Sequence, residues 1–297
     1  MKKNILIILA LFGSVNSYAQ FGGFSQNFSN PLFLNPAFAG SLGCSRMALD
    51  YRNQPAPGSL VTYSASYDQF VDKIAGGIGL QLISVNFDKG NFTANTINGM
   101  YAYNFKINDN LHIRPAFNIG MGVNHAEESV FYNTTPSKYF FNAGFGLLFT
   151  YKNFISGFSF DHINNPDIGF DSKYKLPSKF ALHFSYEFPL SAIMQLSPGI
   201  IYFHQKDYIE NEMDYNLMLK IKFIKAGIGF RQVSDNPDDG ILMLGYCCDW
   251  MSLGYSYDMA ISKLSNSAKG VSEISAVFKF NCKNDKEKFK ISQLANF

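Results

Sequence analysis

The sequence predicts an all-β protein, a transmembrane antiparallel β-barrel of about 14 strands, and three observations carry that expectation. The chain opens like an exported protein, its strands alternate with a period of two, and its composition is rich in aromatics yet poor in charge. Lys2 and Lys3 precede an unbroken apolar run from Ile5 to Phe12. Ser17-Tyr18-Ala19 then offers small residues around a cut that would leave Gln20 as the new N-terminus. That order is a secretory signal peptide, with an apolar core too short to span a bilayer as a helix. The position after the cut is not Cys, so no lipoprotein anchor is expected.

Beyond residue 19 no apolar run approaches the roughly 18–20 residues of a membrane helix, and mean hydropathy is −0.04. A closed barrel needs only alternate residues to be apolar. Aromatic residues make up 16% of the chain, with 30 Phe and 17 Tyr but 1 Trp. Charged residues are also 16%, below the about 25% of ordinary soluble domains. A barrel uses aromatics in its lipid-facing band and interfacial girdles. The net charge of +2 points to no acidic partner and excludes nucleic acid as the expected ligand.

From Cys44 to Cys282 short alternating stretches are separated by turn residues. Phe180, Leu182, Phe184, Tyr186 and Phe188 share one face, against Ala181, His183, Ser185 and Glu187. Ala143, Phe145, Leu147, Phe149 and Tyr151 alternate with Asn142, Gly144, Gly146, Leu148 and Thr150. Period-two alternation puts each set on its own side of a sheet. A soluble sandwich alternates too, but here the second face carries Gly, Ser, Asn and isolated charges, which suits a polar lumen. Asp88-Lys89-Gly90-Asn91, Asn164-Asn165-Pro166 and the Asp235–Gly240 stretch supply turns. At about 10 residues per strand and about 7 per connection this length accommodates about 14 strands, with 12 and 16 as the even-numbered alternatives.

The division expected is a signal peptide at 1–19, an N-terminal segment at 20–43, the barrel at 44–282 and a charged periplasmic tail at 283–297. Within the segment, Asn35 suits an N-cap with Pro36 at the first helical position, and Gly40 can close the short turn. So many apolar residues are expected to pack at the barrel's mouth or base; a disordered leader is the alternative.

Asn30-Pro31-Leu32-Phe33-Leu34-Asn35-Pro36-Ala37-Phe38-Ala39-Gly40 resembles the opening signature of the PorP/SprF family of outer-membrane proteins, which belong to type IX secretion and gliding. Tyr51-Arg52-Asn53-Gln54, Gly76-Gly77-Ile78-Gly79-Leu80 and Gly157 to Pro166 resemble later elements. Tyr255-Ser256-Tyr257-Asp258 with Glu273-Ile274-Ser275 resembles its close. Pro55 stands where the family usually has Trp, and Ser272 where it often has His. The resemblance implies an integral outer-membrane protein that catalyses nothing and binds or anchors a secreted protein carrying a type IX C-terminal sorting domain. It also implies contact with periplasmic components of the machinery, besides the lipids of the outer membrane. Asn30, Pro31, Asn35, Pro36 and Phe38 are the candidate partner-binding or plug residues. A passive channel or small-solute transporter is the alternative.

No catalytic, cofactor or metal site is expected. The five His residues form no H-E-x-x-H motif, and neither G-x-S-x-G nor a phosphate loop occurs. Asp161-His162 reads as a rim side chain bonding the turn at Asn164-Asn165-Pro166, and Asp235, Asn236, Asp238 and Asp239 as a solvated turn lacking EF-hand spacing. Gly120 and Gly122 fall on alternating strand positions that relieve crowding. Cys44 and Cys282 stand at the start of the first strand and the end of the last, which are neighbours in a closed barrel. An oxidising periplasm could join them; small unpaired Cys is the other reading.

Overall fold

The computed structural model describes residues 23–55, 59–127, 135–170, 173–207, 209–234, 239–261 and 270–282. The expected signal peptide, the charged tail and the acidic turn at 235–238 lie outside the described residues.

Alternation becomes strands β1 (Ser45–Gln54), β2 (Leu60–Val71), β3 (Gly76–Phe87), β4 (Phe92–Tyr103), β5 (Phe105–Lys106), β6 (Leu111–Ala126), β7 (Ser137–Tyr151) and β8 (Phe154–Asp161). The second half holds β9 (Lys179–Tyr186), β10 (Phe188–Ser191), β11 (Met194–Gln205), β12 (Ile209–Ile221), β13 (Ile224–Val233), β14 (Asp239–Cys247), β15 (Met251–Ala260) and β16 (Val271–Phe280). Neighbours pair antiparallel, β9 pairs with β11, and β1 pairs with β16 from Ser45↔Phe280 to Asn53↔Ser272. The result is a closed barrel of 14 strands, with β5 and β10 as two short extras. Closure removes the unpaired edges that lipid cannot satisfy.

Connections such as 152–153 and 222–223 at one end are short, while 127–136, 162–178 and 261–270 at the other are long. Short turns mark the periplasmic side. Tyr151, Tyr186, Phe188, Phe223, Tyr246, Trp250 and Phe280 are exposed at that end, which forms an aromatic girdle. Between the ends Leu80, Leu82, Ile97, Ile119, Phe141 and Ile228 face outward and form the lipid-facing band. Along β9, Phe184 is 43% exposed while its neighbour His183 is 1% exposed, so the two faces read from the sequence are the lipid and lumen faces.

The N-terminal segment is neither at the mouth nor at the base alone. It runs the height of the lumen. Ser25 and Gln26 bond to Glu273 near the long-connection end, Asn30 bonds to Ser64 and Gln81 at mid-height, and Gly40 bonds to Asp68 near the periplasmic end. It contains one turn of helix, α1 (Pro31–Leu34), and one 3-10 turn (Pro36–Phe38). The reason is area: Leu32, Leu34, Ala37, Phe38, Ala39 and Leu42 are all buried, and only a lumen lined by Leu148, Ile155, Ala181, Ile201 and Phe203 can cover that many. Each large side chain so buried stabilises by about 1.5–3 kcal/mol.

Candidate functional site

The candidate residues converge on the contact between the segment and the wall. Asn30 and Asn35 both precede a proline, which has no N–H to satisfy and suits a first helical position. They use their side chains differently. Asn30 makes no cap bond; its Nδ2 donates to Ser64 Oγ at 2.7 Å and its Oδ1 accepts from Gln81 Nε2 at 3.1 Å. Asn35 does cap, accepting from the Ala37 N–H at 2.9 Å. Its Nδ2 donates to the carbonyls of Leu147 at 3.1 Å and Phe158 at 3.0 Å, and lies 3.3 Å from His183 Nε2. The wall has glycines at this slot. A Cβ on Gly146 would stand 2.1 Å from Asn35 Oδ1, and one on Gly157 would stand 3.0 Å from its Nδ2. Pro31 and Pro36 are buried beside these asparagines, and the Phe38 ring lies 5.3 Å from that of His183.

At the periplasmic end two arginines hold the backbone. Arg114 Nε donates to Ala37 O at 3.1 Å and its Nη2 to Ala39 O. Arg46 donates to Phe38 O at 3.3 Å and pairs with Asp68 at 2.7 Å, while the other Asp68 oxygen accepts from the Gly40 N–H at 2.7 Å. Gly40 takes φ +65°, and Gly77 must also be glycine because a Cβ there would stand 1.9 Å from Ala39 O.

At the other end the Glu273 carboxylate accepts from two successive backbone N–H groups, Ser25 at 2.8 Å and Gln26 at 2.9 Å. Arg52 Nη1 reaches Ser25 Oγ at 2.9 Å, Asp258 at 3.1 Å and Glu273 at 3.3 Å. Arg231 grips Asp214 in a two-bond fork at 2.8 and 3.0 Å and lies 3.4 Å from both Asp258 and Glu212. All of these side chains are buried. Buried charge is tolerated only when paired and hydrogen-bonded, so the network holds together as a unit. It joins Arg52, Asp258 and Glu273, three residues that the sequence shows only as parts of distant motifs. One signal could have joined them: each carries its charge on the face opposite the outward Tyr51, Tyr255 and Ile274.

Cys44 and Cys282 are disulfide-bonded, with Cα atoms 4.6 Å apart. His162 does not bond the turn with its side chain: Nδ1 meets Asn142 Oδ1 at 2.7 Å, and it is the His162 carbonyl that accepts from the Asn165 N–H. Asp161 instead pairs with Lys179 at 3.4 Å and accepts from Asn118 at 3.1 Å. The two neighbours therefore point to separate partners. Among the described residues no group of three or more His, Cys, Asp or Glu could hold a metal. A Cβ at Gly120 would stand 2.1 Å from Asn98 Oδ1 and one at Gly122 2.1 Å from the Phe140 ring; both glycines make room on the lumen face.

The barrel is similar to solved outer-membrane structures. The CymD monoaromatic hydrocarbon channel matches with a TM-score of 0.54 at 12% identity, over 88% of this chain and 94% of that one. The Ralstonia pickettii toluene transporter TbuX matches with 0.53 at 9% identity, over 89% and 98%. Omp33 of Acinetobacter baumannii matches with 0.50 at 10% identity, over 81% and 100%. Likeness at this identity speaks for the fold. No curated protein matches the sequence. The family model described as type IX secretion system membrane protein PorP/SprF matches residues 16–278. With nearly the whole chain matched and a closed barrel to match it, the protein is an integral outer-membrane member of the PorP/SprF family of type IX secretion.

Proposed function

We propose that the barrel acts in type IX secretion as a non-enzymatic anchor that retains a cognate secreted protein bearing a C-terminal sorting domain. One observation carries this reading. Residues 23–44 thread the lumen and are fixed along its height by the hydrogen bonds and ion pairs above, so the segment obstructs the lumen and braces the wall. A braced scaffold presents its rims and holds their shape, which favours binding over conduction. At the periplasmic rim β10 pairs only with β11 among the described strands, and such an edge suits strand addition by a periplasmic component of the machinery.

The experiment replaces Asn35 and Pro36 together with Ala. Surface proteins are then captured with the barrel from cells, and barrel abundance is measured alongside. Partner recovery is expected to fall several-fold more than barrel abundance. Equal losses would assign the segment to folding alone, and undiminished recovery would remove it from binding.

A second reading, a small-solute channel, is favoured by the fold likeness to CymD and TbuX. Planar-bilayer recordings separate the two: the intact protein is expected to be silent, with steady conductance only after deletion of residues 23–40.

A further inference from the structure

Barrel lumens are lined with polar groups, and one sector of this lumen departs from that rule. Between the segment and strands β3, β4, β7 and β11 lies a cavity of about 250 Å³. It reaches from Val85 and Phe92, at the long-connection ends of β3 and β4, down to Met100. Leu32 and Phe33 of the segment line it from one side, and Val85, Phe92, Phe140 and Phe203 from the barrel wall. Ile168 and Leu176 of the 162–178 connection add to the lining.

Most of the charged and amide side chains of the lining are engaged, while Asn118 Oδ1 has no partner among the described residues. Asp161 pairs with Lys179 and accepts from Asn118. Asn142 donates to Asn98 and meets His162. Gln81 donates to Asn30, and Gln205 donates to Pro177 O at 2.8 Å. Lys179, the cation of the lining, also sits 4.3 Å above the Phe33 ring, a favourable cation–π position. An anionic ligand would have to compete with Asp161 for Lys179, whereas an apolar one needs to break none of these contacts. Ligand sites of this kind are mainly apolar with few polar groups, and apolar cavities accept molecules such as benzene or xenon. The aromatic walls add stacking and edge contacts for a ring.

We propose that this cavity is a binding site for small uncharged apolar molecules of alkylbenzene size, reached from the long-connection side and floored by Leu32 and Phe33. The site stands independently of whether the barrel retains a secreted protein.

The test uses the full chain in lipid nanodiscs. The protein has 1 Trp, Trp250, at the opposite end of the barrel. Trp250→Phe with Phe92→Trp therefore places a single fluorophore at the cavity. Titration with n-butylbenzene is expected to give a saturable emission change, and 4-phenylbutyrate to bind at least about tenfold more weakly, because its carboxylate would be desolvated while Lys179 is already paired with Asp161. Ala94→Phe, which projects a ring into the cavity, is expected to abolish the response while heat-modifiable migration on gels stays intact. If that variant does not assemble, Val85→Phe fills the same space and carries the same expectation. The protein with only its native Trp250 should show no saturable change. A non-saturable response of the introduced indole, or one that survives filling of the cavity, would overturn the site. Binding of phenylbutyrate as tight as that of butylbenzene would overturn the ligand class and make Lys179 an anion anchor.

Discussion

On the β12–β1 side of the lumen, Ser25 and Gln26 are held by Glu273, Arg52 and Asp258, whereas on the β3–β11 side Leu34 and Phe38 pack among Leu148, Ile155, Ala181 and Ile201. The ionic side is directional. Its bonds fix which residue stands at which height, and each removal leaves a buried charge. Packing on the apolar side is not directional in itself, although Asn35 and Arg114 add bonds to backbone carbonyls there, and it leaves an unfilled volume next to Phe33 that its lining tolerates. Buried ion pairs therefore dominate one side and apolar filling the other. A ligand cavity can exist on the second without disturbing the first.

The comparison breaks most sharply at Arg231. Arg231→Met leaves Asp214, Glu212 and Asp258 without their shared cation, and the expected loss is about 3–5 kcal/mol. Urea unfolding followed by gel mobility measures it, and adding Asp214→Leu should restore part of the loss. Removing only part of the negative charge in this way separates uncompensated charge from lost packing.

Gly77→Ala tests the base, where the two sides meet. Its Cβ would meet Ala39 O at 1.9 Å and the Gly40 Cα at 2.7 Å, both backbone atoms. Overpacking of this kind is expected to destabilise by about 1–3 kcal/mol. Faster amide exchange confined to residues 37–42, with the strands unchanged, is the outcome that places the strain in the segment. Val85→Ala, at the cavity wall, should do less. Its side chain already faces open space on one side, so about 1 kcal/mol is expected, with tighter packing partners untouched.

The smallest effect is expected outside the membrane. Lys138 donates to Asp167 at 2.7 Å, and the N–H groups of Tyr174 and Gly169 bond the same carboxylate. The Lys138 hydrogen bond first, and the Tyr174 N–H second, bring its pKa down to about 2. A carboxyl group depressed in the folded state contributes stability above its ordinary pKa of about 4 and loses it as pH falls through the lowered value. The 162–178 connection should therefore stay docked at pH 5 and loosen only toward pH 2. Exchange at the Tyr174 amide, compared with Asp167→Asn, reads this directly.

The sequence carried the fold because alternation is local. Phe184 and Tyr186 face lipid, and His183 and Ser185 face the lumen, as their parity requires, and a run of about ten residues per strand leads to 14. The Asn35-Pro36 pair was also legible, since Asn35 caps through a bond to the Ala37 N–H only two residues away. What parity could not supply was a partner across the barrel. Arg52 meets Asp258 at a separation of 206 residues and Ser25 meets Glu273 at 248. Closure of the sheet brings them together; parity shows only that each charge faces the lumen, and not which partner it meets there.

The path of the N-terminal segment was undetermined for the same reason. Its apolar residues demanded cover, but mouth, base and lumen all offer it on paper. The assembled lumen decided the matter with glycines at 77, 146 and 157 that admit the backbone and Asn35, and with carboxylates at 68 and 273 that fix its two ends. The sequence by itself determined an exported barrel with an apolar segment to bury. Only the tertiary structure decided that the segment fills the barrel, because shape and charge complementarity belong to surfaces that exist once the strands have closed.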